Sequence, residues 1–266
     1  MKKVTLLKLG GSLITDKTKP FTANLDIIED LVSQIKKAIE TSPNLRLIIG
    51  NGAGSFAHYP AVKFNMKEGI KNEKQKTGFC EVQSAATKLN RIIVEELLKK
   101  KVKAISLNPS SMIISKNGKI KDFFIKPIIG LISLGITPVI YGDIVYDEQL
   151  GSKIYSTEQL LSEIAIRLKK AGFLIEKIIH NGITKGVLDS NKNLIPTITL
   201  KNIKVVKKFL NGARGYDVTG GMMHKVVECL KLKKQGIKSL IINGTAEKDL
   251  LTNALLGNKV VGTMIN

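Results

Sequence analysis

The chain has 266 residues, 43% apolar and 24% charged, enough to bury a sizeable core as one large domain or two lobes and too apolar for a disordered segment. Lysine and arginine number 42 against 22 Asp and Glu, a formal net charge of +20 that admits anionic partners. With 5% aromatic residues and no Trp, the stacking platforms of single-strand binders are missing, so no nucleic-acid partner is expected and the charge reads as a solvated lysine surface that still attracts small anions.

In chain order, Val4–Leu9 reads as a buried strand with Lys8 at its exit, followed by the glycine turn Gly10-Gly11-Ser12 and by Lys17. Asp26–Glu40 reads as a helix, and Leu45–Ile49 as a strand running into Gly50-Asn51-Gly52-Ala53-Gly54-Ser55-Phe56-Ala57-His58, read as a loop. Glu81–Lys100 is a helix, Ala104–Leu107 a strand, Lys126–Leu134 a helix and Thr137–Tyr141 a strand that exits into Gly142-Asp143. The polar stretch Leu150–Ser156 reads as a seam between lobes 1–150 and 151–266. Beyond it come a helix (Thr157–Ala171), a strand (Lys177–His180), a helix (Met222–Gln235), a strand (Ser239–Ile242), a helix (Thr245–Leu256) and a closing strand (Gly262–Ile265). Short apolar strands alternating with amphipathic helices predict a three-layer α/β/α sandwich on a largely parallel central sheet.

Lysine clusters such as 99–101, 169–170 and 231–234 fall near helix C-termini, where cations suit the helix dipole. Cys80 and Cys229 lack metal or disulfide spacing and read as buried packing residues. No apolar run approaches the roughly 20 residues that span a bilayer, and no charged-then-apolar leader precedes the first strand. A cytoplasmic location without a membrane partner is expected.

In sheets of this kind ligands gather at the C-terminal strand ends. Glycines at Gly10–Gly11 and Gly52–Gly54 free the backbone to bring amide N–H groups against an oxyanion. Asp217, Thr219, Gly220, Gly221 and Met222 stand before a helix with Lys225 inside it, so amides and an ammonium converge. Two glycine cradles with Lys8 and Lys225 suit phosphoryl transfer between two anionic ligands, a reaction that needs alignment and positive charge more than covalent help. GxxxxGK[ST], GxGxxG, HExxH, CxxC and GxSxG do not occur. Lys8 has few structural uses, since a buried charge is costly without a partner. His58 could instead be a capping or core histidine and Lys225 a surface lysine, while His180 and His224 read as incidental.

The segments KLGGSLITDK (8–17), GAGSFAH (52–58), VIYGDIVYD (139–147), DVTGGMMHK (217–225) and ALLGNKVVGTMI (254–265), with LNPSSMI (107–113) between them, resemble the amino acid kinase superfamily, and within it the isopentenyl phosphate kinases. The resemblance implies that fold, with an N-terminal acceptor and dimer lobe, a C-terminal nucleotide lobe, a homodimer, and ATP with Mg2+. It implies direct in-line phosphorylation of isopentenyl phosphate, or a similar small alkyl monophosphate, to the diphosphate. Lys8 and Lys225 would then neutralise the phosphoryl group in flight, Lys17 would touch ATP phosphates, and Gly10, Gly11 and Ser12 would supply amides between the ligands. Gly52, Ala53, Gly54 and His58 would hold the acceptor phosphate, with Gly142 and Asp143 holding the same loop or ligand. Asp217, Thr219, Gly220, Gly221 and Met222 would line the nucleotide side. An apolar tail cavity would lie near Phe79, Gln83 and Met112–Ile114.

Three departures from the family pattern stand out. Ser156-Thr157-Glu158 replaces a serine-glycine-aspartate stretch, with Glu158 in place of the acid that organises the catalytic lysines. Gly182-Ile183-Thr184-Lys185-Gly186 replaces an acid-rich segment beside the nucleotide, and Asn51 stands where a histidine is usual. They keep two other readings open: a kinase of this fold for another acceptor (a phosphonate antibiotic, a carbamate or a nucleotide), and a non-catalytic nucleotide-binding relative.

Overall fold

A computed structural model describes residues 2–206 and 221–266. Its strands are β1 (Lys3–Leu9), β2 (Leu47–Asn51), β3 (Ala104–Ser106), β4 (Ile113–Lys116), β5 (Lys119–Phe123), β6 (Thr137–Tyr141), β7 (Asp143–Asp147), β8 (Gly151–Tyr155), β9 (Leu174–Asn181), β10 (Thr197–Ile198), β11 (Ser239–Ile242) and β12 (Thr263–Ile265). The helices are the single turn α1 (Gly11–Ile14), α2 (Leu25–Thr41), α3 (Gly54–Lys63), α4 (Glu73–Lys99), α5 (Lys126–Ser133), α6 (Thr157–Lys170), α7 (Gly221–Lys234) and α8 (Leu250–Leu256).

Among the described residues, eight strands form one sheet in the order β10-β12-β11-β9-β1-β2-β6-β3, parallel except where β11 meets β12. β1 lies near its centre and is buried beyond its first residue, because a central parallel strand is covered on both faces. Side-chain alternation splits it. Leu7 and Leu9 enter a core with α2, α4 and α8, while Val4 and Leu6 enter a second core with α5 and α6. The same alternation puts Lys8 on the second face. A smaller cluster joins β10, β11 and β12 to α7.

Loop chemistry sets the helix starts nearest the sheet's C-terminal edge. Ser156 accepts the Gln159 amide (3.2 Å), and the Gln159 side chain accepts the Ser156 amide (2.9 Å). This capping box satisfies two of the orphan donors at the start of α6 and fixes where Glu158 emerges.

The expected three layers and most alternating elements are present, with four corrections. The glycine loop 52–58 becomes helical at Gly54, α4 starts eight residues before the expected Glu81, and the expected helix 245–256 spans Leu250–Leu256 only. The stretch 150–156 is largely strand: β8 pairs antiparallel with β7 in a second sheet ordered β5-β4-β7-β8. Cys229 is buried as expected, but Cys80 is exposed. No described helix is long and apolar enough to cross a membrane.

Candidate active site

Parallel register brings three strand exits to one line. Lys8 is level with Gly50 of β2 and with His180 of β9, and Leu9 with Asn51 and Asn181. The two glycine loops that follow β1 and β2 are in backbone contact. A Cβ on Gly11 would stand 2.5 Å from the Gly54 nitrogen, and one on Gly52 would stand 2.6 Å from the Gly11 nitrogen. No side chain fits at either position, and Gly54 has φ of +52°, a region that favours glycine. Thr15 locks the loops together, donating to the Gly11 carbonyl (2.7 Å) and accepting from the Ser55 amide (3.0 Å). Gly10 donates its amide to the Asn181 carbonyl (2.8 Å), so the first loop is also pinned to β9. Ser12 follows in the α1 turn.

α6 enters from the second face. Thr157 donates its hydroxyl to the Asn51 carbonyl (2.6 Å), fastening the helix start to the second loop. Next to it, the Glu158 carboxylate accepts a hydrogen bond from the Lys8 ammonium in an ion pair shielded from solvent. Burial by itself would raise the Glu158 pKa, but the charge and hydrogen bond of Lys8, with further pull from His180 and Lys225, hold it at about 2. Glu158 is therefore ionised beside Lys8.

Lys225 on α7 lies within electrostatic reach of Glu158, His180 and Cys229. Lys8 pairs with Glu158 and Lys225 lies within electrostatic reach of the same carboxylate, although 217 positions separate the two lysines in the chain. His58, in the first turns of α3, is exposed and lies within electrostatic reach of Lys8 and Glu158. The surrounding protein lowers its pKa by desolvation, with the charges of Lys17 and Lys8 acting in the same direction and Glu158 against them. A neutral imidazole here can donate one N–H to an anion. Lys17 itself is exposed.

Gly142 donates its amide to the Asn51 carbonyl (3.2 Å). Asp143 is buried and accepts from the Ser110 and Ile144 amides, each at 2.9 Å, so it grips the turn at Pro109–Ser111. Burial pushes its pKa up to about 6 against those hydrogen bonds. Asn51, where the family pattern has histidine, accepts from the Asn90 side chain (2.9 Å), which accepts from Ser106 (2.5 Å). This position is therefore part of a buried amide network. Lys185 is exposed beyond β9. Gly221 opens α7 and Met222 packs against the third cluster. Asp217, Thr219 and Gly220 lie outside the described residues, as does the side chain of His224. Of the expected tail wall, Phe79 packs with the first core and Met112 and Ile113 with the second. Gln83 bonds Thr87 (3.0 Å), which shares a hydrogen bond with Tyr141 (3.0 Å).

His180 corrects the sequence expectation. It is 3% exposed, a cross-strand neighbour of Lys8, and close enough to Glu158, Lys225 and Lys8 to feel all three charges. Its place in an apolar run concealed this; only its position two residues after Ile178, on the face shared with Lys8, gives a signal.

Three comparisons with known proteins agree with this geometry. Residues 3–243 match the family model for the amino acid kinase family. The isopentenyl phosphate kinase of Methanocaldococcus jannaschii is 33% identical over 272 residues, covering 99% of this chain and 98% of that protein. That of Methanothermobacter thermautotrophicus is 34% identical, covering 98% of each. A crystal structure of an isopentenyl phosphate kinase superposes with a TM-score of 0.81 at 31% identity, covering 98% of this chain and 100% of that one.

Proposed function

This chain belongs to the amino acid kinase family, alongside its isopentenyl phosphate kinases, and on that premise we propose that it transfers the γ-phosphoryl group of ATP to isopentenyl phosphate. One observation carries the reading beyond family membership: Lys8 pairs with Glu158 beside the line where the two glycine loops touch, within electrostatic reach of Lys225.

An oxygen of the acceptor monophosphate bonds to the γ-phosphorus, the bond from that phosphorus to the β-bridging oxygen breaks, and ADP leaves. The acceptor oxygen is already anionic, so no proton has to be removed. The chemistry asks for alignment and for charge that needs no reorganisation. The Ala53 and Gly54 amides and the His58 N–H hold the acceptor, while Gly52, its amide given to the Leu9 carbonyl (2.8 Å) in a correction to the expected cradle, shapes the loop, with Gly142 and Asp143 bracing that side. Gly11 and Ser12 present amides between the two ligands, and Gly10, whose amide is given to the Asn181 carbonyl, sets the turn. Lys8 and Lys225 face the phosphoryl group in flight, and Glu158 holds the Lys8 ammonium in place until an anion competes for it. Lys17 reaches the ATP phosphates, and Gly221 and Met222 flank the nucleotide along with Asp217, Thr219 and Gly220.

Magnesium belongs to this reaction as the counter-ion that travels with ATP. The described residues group no three His, Cys, Asp or Glu side chains that would cage a cation, and Glu158 is already engaged by Lys8. Nucleotide-bound Mg2+ is held largely by phosphate oxygens and water in any case. No step here runs through a protein-bound metal. A homodimer formed through the N-terminal lobe, in the cytoplasm, completes the proposal.

The test is to incubate the protein with ATP, magnesium and, separately, isopentenyl phosphate, dimethylallyl phosphate, fosfomycin or UMP, and to follow phosphorus NMR. Appearance of isopentenyl diphosphate with ADP is expected. Phosphorylation of fosfomycin or UMP alone, or ATP binding without turnover of any acceptor, overturns the proposal.

A further inference from the structure

Four residues stand in one row across the central sheet, because Gly50, Lys8, His180 and Ile241 are successive cross-strand neighbours. Neighbours in register share a face, here the face of Val4, Leu6 and Ile178 under α6 and α7. Each member meets a different residue from above. Gly50 has no side chain because a Cβ there would be 2.6 Å from Thr157 Cγ2. Lys8 pairs with Glu158, and Ile241 packs in the cluster of Val226 and Cys229. His180 Nε2 lies 3.4 Å from Cys229 Sγ. Cys229 is fully buried and stands one helical turn after Lys225, on the same face of α7.

His180 is poorly explained as a packing residue. Its Nδ1 is buried and finds no hydrogen-bond partner among the described residues, and an orphaned buried nitrogen costs stability that an apolar side chain would not. The contact is not a catalytic ion pair either. Burial lowers the imidazole pKa to about 3 and raises the thiol to about 11, so at neutral pH both groups are uncharged and the thiol is no nucleophile. What remains is a directional contact that ties α7 to β9 beside the two lysines.

We propose that His180 is a positioning residue for phosphoryl transfer: by holding Cys229 it seats α7 on the sheet so that Lys225 stays over Glu158 and Lys8. This rests on assigning Lys8 and Lys225 to the transferring group. In this view His180 sets the spacing of two ammonium groups that would otherwise repel each other, and touches neither substrate.

The test is a double-mutant cycle on the full chain with His180→Leu, Cys229→Ala and the pair, together with Cys229→Ser and His180→Gln. For either single variant we expect kcat to fall by roughly tenfold, with KM for isopentenyl phosphate within about threefold of wild type. ATP affinity by calorimetry should weaken by about threefold in each, with the double variant no worse than the poorer single one. Melting temperature should not track these losses, and Cys229→Ser should regain most of the turnover. Should His180→Leu fail to fold, Cys229→Ala and His180→Gln carry the same comparison. Wild-type kcat and ATP affinity in His180→Leu, losses that multiply in the double variant, or turnover that falls only in step with melting temperature would each overturn the inference. A wild-type protein that binds ATP without phosphorylating isopentenyl phosphate sinks the acceptor assignment instead, and the calorimetric cycle still decides the coupling.

Discussion

Two corners of the molecule bury carboxylates, and they neutralise them differently. In the second sheet, Asp147 is fully buried and accepts the amides of Asn117, Gly118, Gln149 and Leu150 and the Ser115 hydroxyl, at 2.7–3.1 Å. Burial opposes its ionisation, but those donors hold its pKa well below the ordinary carboxylate range. At the strand exits, Glu158 is held by the Lys8 ammonium from β1, with weaker pull from Lys225 on α7. Backbone amides cannot leave their acceptor without unfolding a turn, whereas a lysine can swing from carboxylate to phosphate. An acid held by amides therefore builds structure, and an acid held by mobile cations stores charge for a ligand.

The contrast is broken or sharpened most by Lys8→Ala. Loss of one preorganised cation at a transferring phosphoryl group should lower kcat by about 10²–10³-fold, and steady-state kinetics on the purified variant checks it. Lys225→Ala should follow the same pattern. Asp147→Ala should do the reverse, leaving kcat of the folded protein near wild type while costing about 3 kcal/mol or more, as several buried amides lose their acceptor. Urea unfolding measures that cost; a collapse of kcat at full stability would erase the distinction. His58→Ala should raise KM for the acceptor by roughly tenfold, the scale of one hydrogen bond to an anion, and an unchanged KM removes His58 from the site.

The smallest effect is in the pH dependence of stability. Asp143 has a folded pKa of about 6, above its ordinary 3.8, so acidification from neutrality through pH 6 relieves a buried charge and should raise stability. Glu158 has a folded pKa of about 2, below its ordinary 4.5. Its contribution is present above pH 4.5 and is lost as the pH falls from there towards 2. His180, with a folded pKa of about 3 against an ordinary 6.5, loses stability over the same acid range and offsets the Asp143 gain, so each limb is read as a difference between a variant and wild type. Asp143→Asn should flatten the first limb and Glu158→Gln should reduce the second, each by a few degrees.

Local signals carried much of this fold. Val4–Leu9, Thr137–Tyr141 and Ser239–Ile242 are apolar runs of strand length, and the structure has strands there. The second sheet was not legible, since β5 (Lys-Ile-Lys-Asp-Phe) and β8 (Gly-Ser-Lys-Ile-Tyr) mix charge and glycine without a clean alternation. Helix α3 was hidden because Gly54 and Pro60 are breakers by composition. At the site, Lys8, the glycine loops and Glu158 were legible as candidates, yet the Lys8 to Glu158 ion pair joins residues 150 positions apart and no local pattern encodes it. His180 was missed for the same reason: its place beside Lys8 is set by register, a property of strand pairing and not of its neighbours in the chain.

The backbone contact between the Gly11 turn and the Gly52–Gly54 turn has an evolutionary consequence. Main-chain atoms, not side chains, set the spacing of the two loops. Side chains around the two turns can then change without altering the spacing of the loops, so sequence can drift at this edge of the sheet while the backbone geometry there stays fixed.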